Sequence, residues 1–358
     1  MSHSEVFLFR KAILNSIALR WSRSQLDFSV VHGLEKYPAL LGRDIDVCVR
    51  KEDRSSAMRH IVSELKCNNW EPVVYRCPWA EWIVGYKQAP DGIIGVEIDL
   101  LSQMQWGWAI LSRDVPSSYA RQNMVPFRLD RWAGFVKRVL IQLLTGNINR
   151  FQQQAKHAEE LVIYEDEMAV VSARLKKLFG DKEAAGLIAA IDRKDLQWIN
   201  VHLMALRCVL LSRALLRPVE LVQALFAWVR NEWVESIMPY PITPIVLLTG
   251  NKELIDYAAQ TLSKRFEERF VFTSVKIQEG AKGHSIRFLW KRRVRSSRLG
   301  LTLVLYDVAL PTQASLFRLI SPVNLVLNVK STDPDSILGY ERQIIQCFAK
   351  MNASKDQF

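Results

Sequence analysis

Val30-Val31-His32-Gly33 is followed, eleven residues after the glycine, by Asp44-Ile45-Asp46-Val47, and much later by Val96-Glu97-Ile98-Asp99-Leu100. The apolar residues in these runs are mostly β-branched and alternate with polar ones, which is the pattern of half-buried strands. Residues two apart on a strand point to the same face, so Asp44 and Asp46 project together, and so do Glu97 and Asp99. If the strands are neighbours, three or four carboxylates meet in one small volume. Like charges that close require a cation, and hard oxygen ligands with room for phosphate oxygens suit Mg²⁺. A site of this kind positions a nucleoside triphosphate and stabilises the charge that develops at phosphorus.

Outward from these strands, the first third of the chain reads as helix, strand, loop, strand, helix and further strands. Phe28 to Val31 and Ile45 to Val49 are short strands, and Ser55 to Lys66 has helical spacing in Met58, Ile61, Val62 and Leu65. Glu71 to Tyr86 reads as two strands joined near Cys77-Pro78, and Ile93 to Leu101 as another behind Asp91-Gly92. From Trp132 to about Trp233 the period becomes helical, with breaks at Gly146-Asn147, Gly180-Asp181 and Arg217-Pro218. The proline-rich stretch from Pro239 to Pro244 is a stiff linker, because proline cannot continue a helix. Beyond it lie strands at Ile245 to Thr249, Val271 to Ile277, Leu301 to Tyr306 and Leu325 to Val329. Helices are expected over Glu253 to Phe266 and near Ser336 to Met351. The predicted architecture is a multidomain α/β protein: a mixed sheet with helices over 1–130, a helical region over 131–238, and a parallel three-layer α/β domain over 239–358.

Composition sets limits on function. The chain has 358 residues, 49% of them hydrophobic, which suffices for two or three cores. Arg207, Arg213 and Arg217 interrupt the most hydrophobic helical stretch, so no transmembrane segment is expected. The N-terminus reads as a folded amphipathic helix without the features of a signal peptide, which predicts a cytoplasmic protein. Cys48, Cys67, Cys77, Cys208 and Cys347 have no zinc or disulfide spacing and read as reduced thiols. The net charge is +11, and Lys264 to Arg298 supplies +8 of it, with 11 Lys or Arg against 3 Glu. Its dense end, Lys291 to Arg298, is either a site for an anionic ligand or a solvated basic loop.

The first motifs resemble the DNA polymerase beta-like nucleotidyltransferase superfamily. Its fingerprint is a hydrophobic-Gly-Gly/Ser stretch, a spacer, an Asp-hydrophobic-Asp pair and a third carboxylate on a later strand. Gly33, Asp44, Asp46 and Asp99 stand at the matching places. More narrowly, His32 to Pro38 with Gly42-Arg43-Asp44-Ile45-Asp46 resembles a bacterial family that joins this domain to a helical region and a thymidylate kinase-like P-loop domain, commonly beside exopolysaccharide or capsule biosynthesis. The resemblance implies a nucleotidyltransferase with two Mg²⁺ ions and an NTP as substrate. Asp44, Asp46 and Asp99 would be catalytic and metal-binding, and His32, Gly33 and Lys137 nucleotide-binding. One departure is that Leu34 follows Gly33 where the superfamily places a small residue at a phosphate-gripping helix start. His32 can equally make an ordinary hydrogen bond at a strand end. Lys137 and Arg138 can equally be solvated, and Trp106 and Trp108 are either base-stacking or core residues.

The last domain resembles a P-loop kinase that has lost its loop. Gly250 occupies the first-glycine position of G-x-x-x-x-G-K-[ST], but the later positions hold Ile255, Asp256 and Tyr257. No lysine reaches the β/γ-phosphates, no hydroxyl binds Mg²⁺ at the Ser/Thr place, and Asp256 would repel triphosphate, which predicts a pseudokinase. Two other functions stay open: a catalytically inactive nucleotide-binding or scaffold protein, and, ranked third, a nucleic-acid binder that uses the basic segment.

Overall fold

The computed structural model describes residues 3–32, 44–76, 80–102, 104–107, 109–112, 131–146, 165–193, 195–237, 244–270, 272, 274–279, 300–307 and 323–353. Helix α1 (His3–Arg23) leads into β1 (Phe28–His32) and β2 (Asp44–Val49), then α2 (Arg54–Cys67), β3 (Glu71–Arg76), β4 (Ala80–Ala89) and β5 (Gly92–Leu101). The five strands form one mixed sheet in the order β1-β2-β5-β4-β3, in which β2 and β5 run parallel and the other pairs antiparallel. A two-residue Pro90-Asp91 turn closes the β4–β5 hairpin, with Ala89 paired to Gly92.

Alternation along the strands divides the sheet into two faces. Ile45, Val47, Ile83, Ile98 and Leu100 are buried against Ile13, Ile17 and Trp21 of α1 and Ala57, Ile61 and Leu65 of α2. Ser16 and Arg20 on α1 hydrogen-bond the Glu64 carboxylate on α2, Arg20 at 2.7 Å. Burial pushes the Glu64 pKa up, but the bonds from Ser16 and Arg20 outweigh it and hold the carboxyl below its usual value.

A short ribbon of β6 (Met104–Trp106) and β7 (Ala109–Ser112) follows, turning at Gly107. Helix α3 (Arg131–Phe135) continues through a π-helical turn (Val136–Leu140) into α4 (Ile141–Thr145), which Gly146 ends in the left-handed conformation. Then come α5 (Glu165–Phe179), α6 (Asp181–Asp192), α7 (Leu196–Leu215) and α8 (Pro218–Ile237). The breaks at Gly146, Gly180 and Arg217-Pro218 fall where the sequence places them, and Asp195 caps α7 by accepting from the Trp198 amide at 2.9 Å. Helix α6 lies within the expected helical region, and the ribbon was not anticipated. Among the described residues, α7 is long and apolar enough, by length and composition, to cross a membrane.

The last part contains β8 (Ile245–Gly250), α9 (Lys252–Arg269), β9 (Ser274–Glu279), β10 (Gly300–Asp307), β11 (Leu325–Val329) and α10 (Pro334–Ala353). Its sheet is wholly parallel, in the order β9-β10-β8-β11. Helices α9 and α10 pack on one face of it, and their outer sides meet the first sheet. Val73, Val84 and Ile93 of that sheet share one core cluster with Ile255, Phe266, Phe270 and Phe348 of the helices and with Val246, Leu303 and Leu327 of the second sheet. The two sheets therefore enclose a common helical layer. The sheet is parallel as expected, but among the described residues helices cover only one face of it, which makes two of the three expected layers.

The strand β9 begins at Ser274 rather than at Val271. The apolar run before it holds Phe270 and Phe272, which are fully buried in an aromatic cluster with Phe266 and Phe348. Gly250 has φ +146°, and a Cβ there would lie 2.5 Å from the Val329 carbonyl oxygen. Gly250→Ala combines backbone strain with a backbone clash, and is expected to destabilise the protein by about 2 kcal/mol or more. The check is the urea unfolding midpoint.

Candidate active site

The strands β2 and β5 bring the acidic residues into register. Asp46 stands opposite Asp99 and Asp44 opposite Glu97 across the parallel pair, with neighbouring strands about 4.8 Å apart. The local sequence fixes the face on which these residues stand. Ile45, Val47, Ile98 and Leu100 enter the core shared with α1 and α2, so Asp46, Glu97 and Asp99 are left on the other face. Asp46 is 1% exposed and Glu97 7%, while Asp99 is half-buried. On the far side of β5, Trp82 pairs with Asp99 and Val84 with Glu97.

A bulge in β1 completes the row. Val30 pairs with Val47, but the next pairing is His32 with Asp46, so Val31 is the extra residue. Val31 is used as an anchor: it is fully buried with Cys48, Trp132 and Phe135 in the core of the helical region. The effect is that His32, Asp46, Asp99 and Trp82 occupy one transverse row over four strands. Without the bulge, Val31 would oppose Asp46.

Helix α3 packs against β1 through Trp132 and Phe135, and Lys137 lies on the π-helical turn that follows. π turns inside α-helices are often found at functional sites. Of the remaining expected residues, Gly33, Leu34 and Trp108 lie outside the described residues, as do Cys77 and the basic stretch Lys291 to Arg298. Trp106 packs against the helical core, with the Arg207 guanidinium 5.5 Å from its ring centre. It is a core residue of the kind its alternative reading described. Cys48, Cys67, Cys208 and Cys347 are free thiols.

Trp82 was not singled out from the sequence, and no spacing signal could have found it, since its place beside Asp99 depends on the β4–β5 register. Glu81, its neighbour, lies on the opposite face beside Leu100 and pairs with Arg54 at 3.7 Å, away from the acidic row.

Chemically, the row sets two carboxylates side by side on adjacent strands, with the acidic positions 44 and 97 one step away. Among the described residues there is no cluster of three or more His, Cys, Asp or Glu side chains placed to hold a metal. Two register-paired carboxylates still fit Mg²⁺, which keeps most of its shell as water and substrate phosphate oxygens.

At the other parallel sheet, the connection from β8 to α9 is the single residue Asn251. Its side chain caps the helix by accepting from the Glu253 amide at 2.9 Å, so a donor that a phosphate would use is occupied. Ile255 is buried in the core and Tyr257 points to solvent. No phosphate loop is formed between these elements.

No protein-family model and no curated protein matches the sequence. A solved structure of the Cid1 poly(U) polymerase, with Mg and 3'-dATP bound, aligns over 43% of this chain and about half (49%) of that one. The identity is 18% and the TM-score 0.23. At that TM-score the likeness adds nothing to the geometry above.

Proposed function

We propose that the protein is a Mg²⁺-dependent nucleotidyltransferase of the DNA polymerase beta-like type. The observation that carries this reading is the in-register pairing of Asp46 with Asp99 and of Asp44 with Glu97 across parallel strands. Bound Mg²⁺ supplies charge neutralisation for the carboxylates and for the triphosphate. Asp44 and Asp46 would hold the metal ions, and Asp99 would hold the second ion and help deprotonate the acceptor hydroxyl. The acceptor oxygen then forms a bond to the α-phosphorus as the bond to pyrophosphate breaks. His32, Gly33 and Lys137 contact the nucleotide. The acceptor class, a sugar or another cell-surface polymer precursor, rests on the family resemblance, and a cytoplasmic location on the character of the N-terminal sequence.

The test is purified protein with each NTP, Mg²⁺ and candidate acceptors, read as pyrophosphate release. A nucleotide-dependent signal that requires Mg²⁺ is expected, and its absence with every NTP and acceptor overturns the reading.

The C-terminal α/β unit is read as a pseudokinase, supported by the one-residue β8–α9 connection and buried Ile255. ATP-dependent phosphorylation of nucleoside monophosphates is expected to be at background. Phosphorylation that survives in Asp46→Asn protein would overturn that assignment. The same connection supports a second reading, in which the whole chain is an inactive nucleotide-binding scaffold. A crystal soaked with Mg²⁺ and a nonhydrolysable NTP separates the two, because ordered metal between Asp46 and Asp99 is expected only for the enzyme.

A further inference from the structure

The helical region carries an exposed apolar surface that the proposed reaction does not use. On α7, Val201, Met204, Leu211 and Leu215 recur at helical spacing and all face solvent. On α8, Val219, Val222, Phe226 and Val229 do the same. Leu216, in the turn between the helices, is 82% exposed. Contiguous apolar area of this kind on a folded protein marks an interaction surface.

Charge identifies the partner. Over the whole hairpin, Leu196 to Ile237, Arg207, Arg213, Arg217 and Arg230 stand against Glu220, Glu232 and Glu235, and the positive excess lies at the turn. At the hairpin turn opens a cavity of about 740 Å³, bordered by Arg174, Lys177, Arg213 and Arg217 together with Trp132 and Leu216. Among the described lining residues the one carboxylate is Glu220, 3.7 Å from Arg217. A cationic pocket beside an exposed apolar turn matches a surface that offers phosphate at one depth and hydrocarbon at the next.

A second copy of the chain fits less well. A two-fold contact through this face would set Arg213 and Arg217 of each copy near those of the other, with Glu220, itself 3.7 Å from Arg217, the one described carboxylate at the turn to balance them. The length and apolarity of α7 do not make it a span in this fold. Ile199, Leu206 and Leu210 are buried in the helical core, and Arg207 donates to the Leu144 carbonyl at 2.7 and 3.1 Å. One side of α7 is thus held by protein, and only the other is available to lipid.

We propose that the α7–α8 hairpin docks the protein onto an anionic lipid surface. The apolar stripes and Leu216 enter the acyl boundary, and Arg174, Lys177, Arg213 and Arg217 receive lipid phosphate in the pocket. The docking does not depend on the transferase reading, and Asp46→Asn protein is expected to bind like the wild type.

Co-sedimentation with phosphatidylcholine vesicles, with and without phosphatidylglycerol, tests this. The full chain is expected to pellet only with the anionic vesicles, and less as salt is added. Arg213→Ser with Arg217→Ser is expected to weaken binding about thirtyfold, which is what two basic residues near an anionic leaflet imply. Leu215→Ser with Leu216→Ser, at exposed positions that leave the fold intact, is expected to weaken it too while keeping the salt dependence. Three results would overturn the proposal: failure of the wild type to pellet, equal pelleting with both vesicle types, or a concentration-dependent dimer that Leu216→Ser disperses without any vesicle binding. Inorganic phosphate saturating the pocket with no effect on vesicle binding would assign the pocket to a free anion and overturn it as well.

Discussion

Asp46→Asn protein is expected to release pyrophosphate at roughly one-thousandth of the wild-type rate or less, while folding as the wild type does. The substitution keeps side-chain volume at a position that is 1% exposed, so the packing of β2 between β1 and β5 is preserved. What it removes is one of two carboxylates held in register on adjacent strands. Asn keeps the shape of the side chain, so the thermal midpoint without metal is expected to stay close to that of the wild type. Mg²⁺ bound by the folded state alone should raise the wild-type midpoint and leave that of Asp46→Asn unmoved. The paired readout matters because a misfolded variant would lose activity and midpoint together. Wild-type activity in Asp46→Asn would move the reaction away from the β2–β5 row altogether.

The row was legible in part. Asp44-Ile45-Asp46-Val47 and Val96-Glu97-Ile98-Asp99-Leu100 declare their faces, because each acidic residue alternates with an aliphatic one that must be buried. Register is a different matter. That Asp46 meets Asp99, that a bulge at Val31 brings His32 opposite Asp46, and that Trp82 lies beyond Asp99 follow from pairing between strands 53, 14 and 17 residues apart. No local pattern encodes such pairing. Within the expected helical region, α6 has no distinct pattern of its own, because its buried face consists of Ala184, Leu187 and Ala190, and its Gly186 makes room for the Trp198 ring. The basic pocket escaped for a related reason. Arg213 and Arg217 read as interruptions in an apolar stretch until the fold sets them beside Arg174 and Lys177 of another helix. The sharing of α9 and α10 by both sheets was hidden as well, because an interface between two α/β units has the same apolar composition as a core.

That shared layer is held at one end by a buried ionic junction, which gives the second large effect. Arg265→Ala is expected to destabilise the protein by about 3 kcal/mol at neutral pH, the range for breaking a buried ion pair by removing one partner. Arg265 on α9 meets Glu341 on α10 at 3.1 Å, and Glu341 is 2% exposed. Around the pair, Arg269 donates to the Asp91 carbonyl at 2.6 Å in the β4–β5 turn. Arg10 of α1 bridges the Gly95 and Arg269 carbonyls at 2.8 and 3.0 Å, and Arg342 reaches Gln88 at 3.2 Å. Burial raises the Glu341 pKa, and Arg265 and then Arg269 oppose that shift without cancelling it. A carboxyl whose folded pKa lies above its unfolded value favours folding more as the pH falls through the folded pKa, and is penalised above it. Removing Arg265 takes away the main opposing charge, so the penalty is greatest at neutral pH and shrinks as Glu341 takes up a proton. Denaturation of Arg265→Ala at about pH 7.5 and about pH 5 should therefore show the deficit narrowing at the lower pH, after correction for the wild type. Glu341→Gln removes the buried charge while keeping volume, and is expected to stay within about 1 kcal/mol of the wild type and to recover most of the loss in the double variant. An Arg265→Ala deficit equal at both pH values, or left intact by Glu341→Gln, would mean that Arg265 contributes through packing of its stem and not through the buried charge.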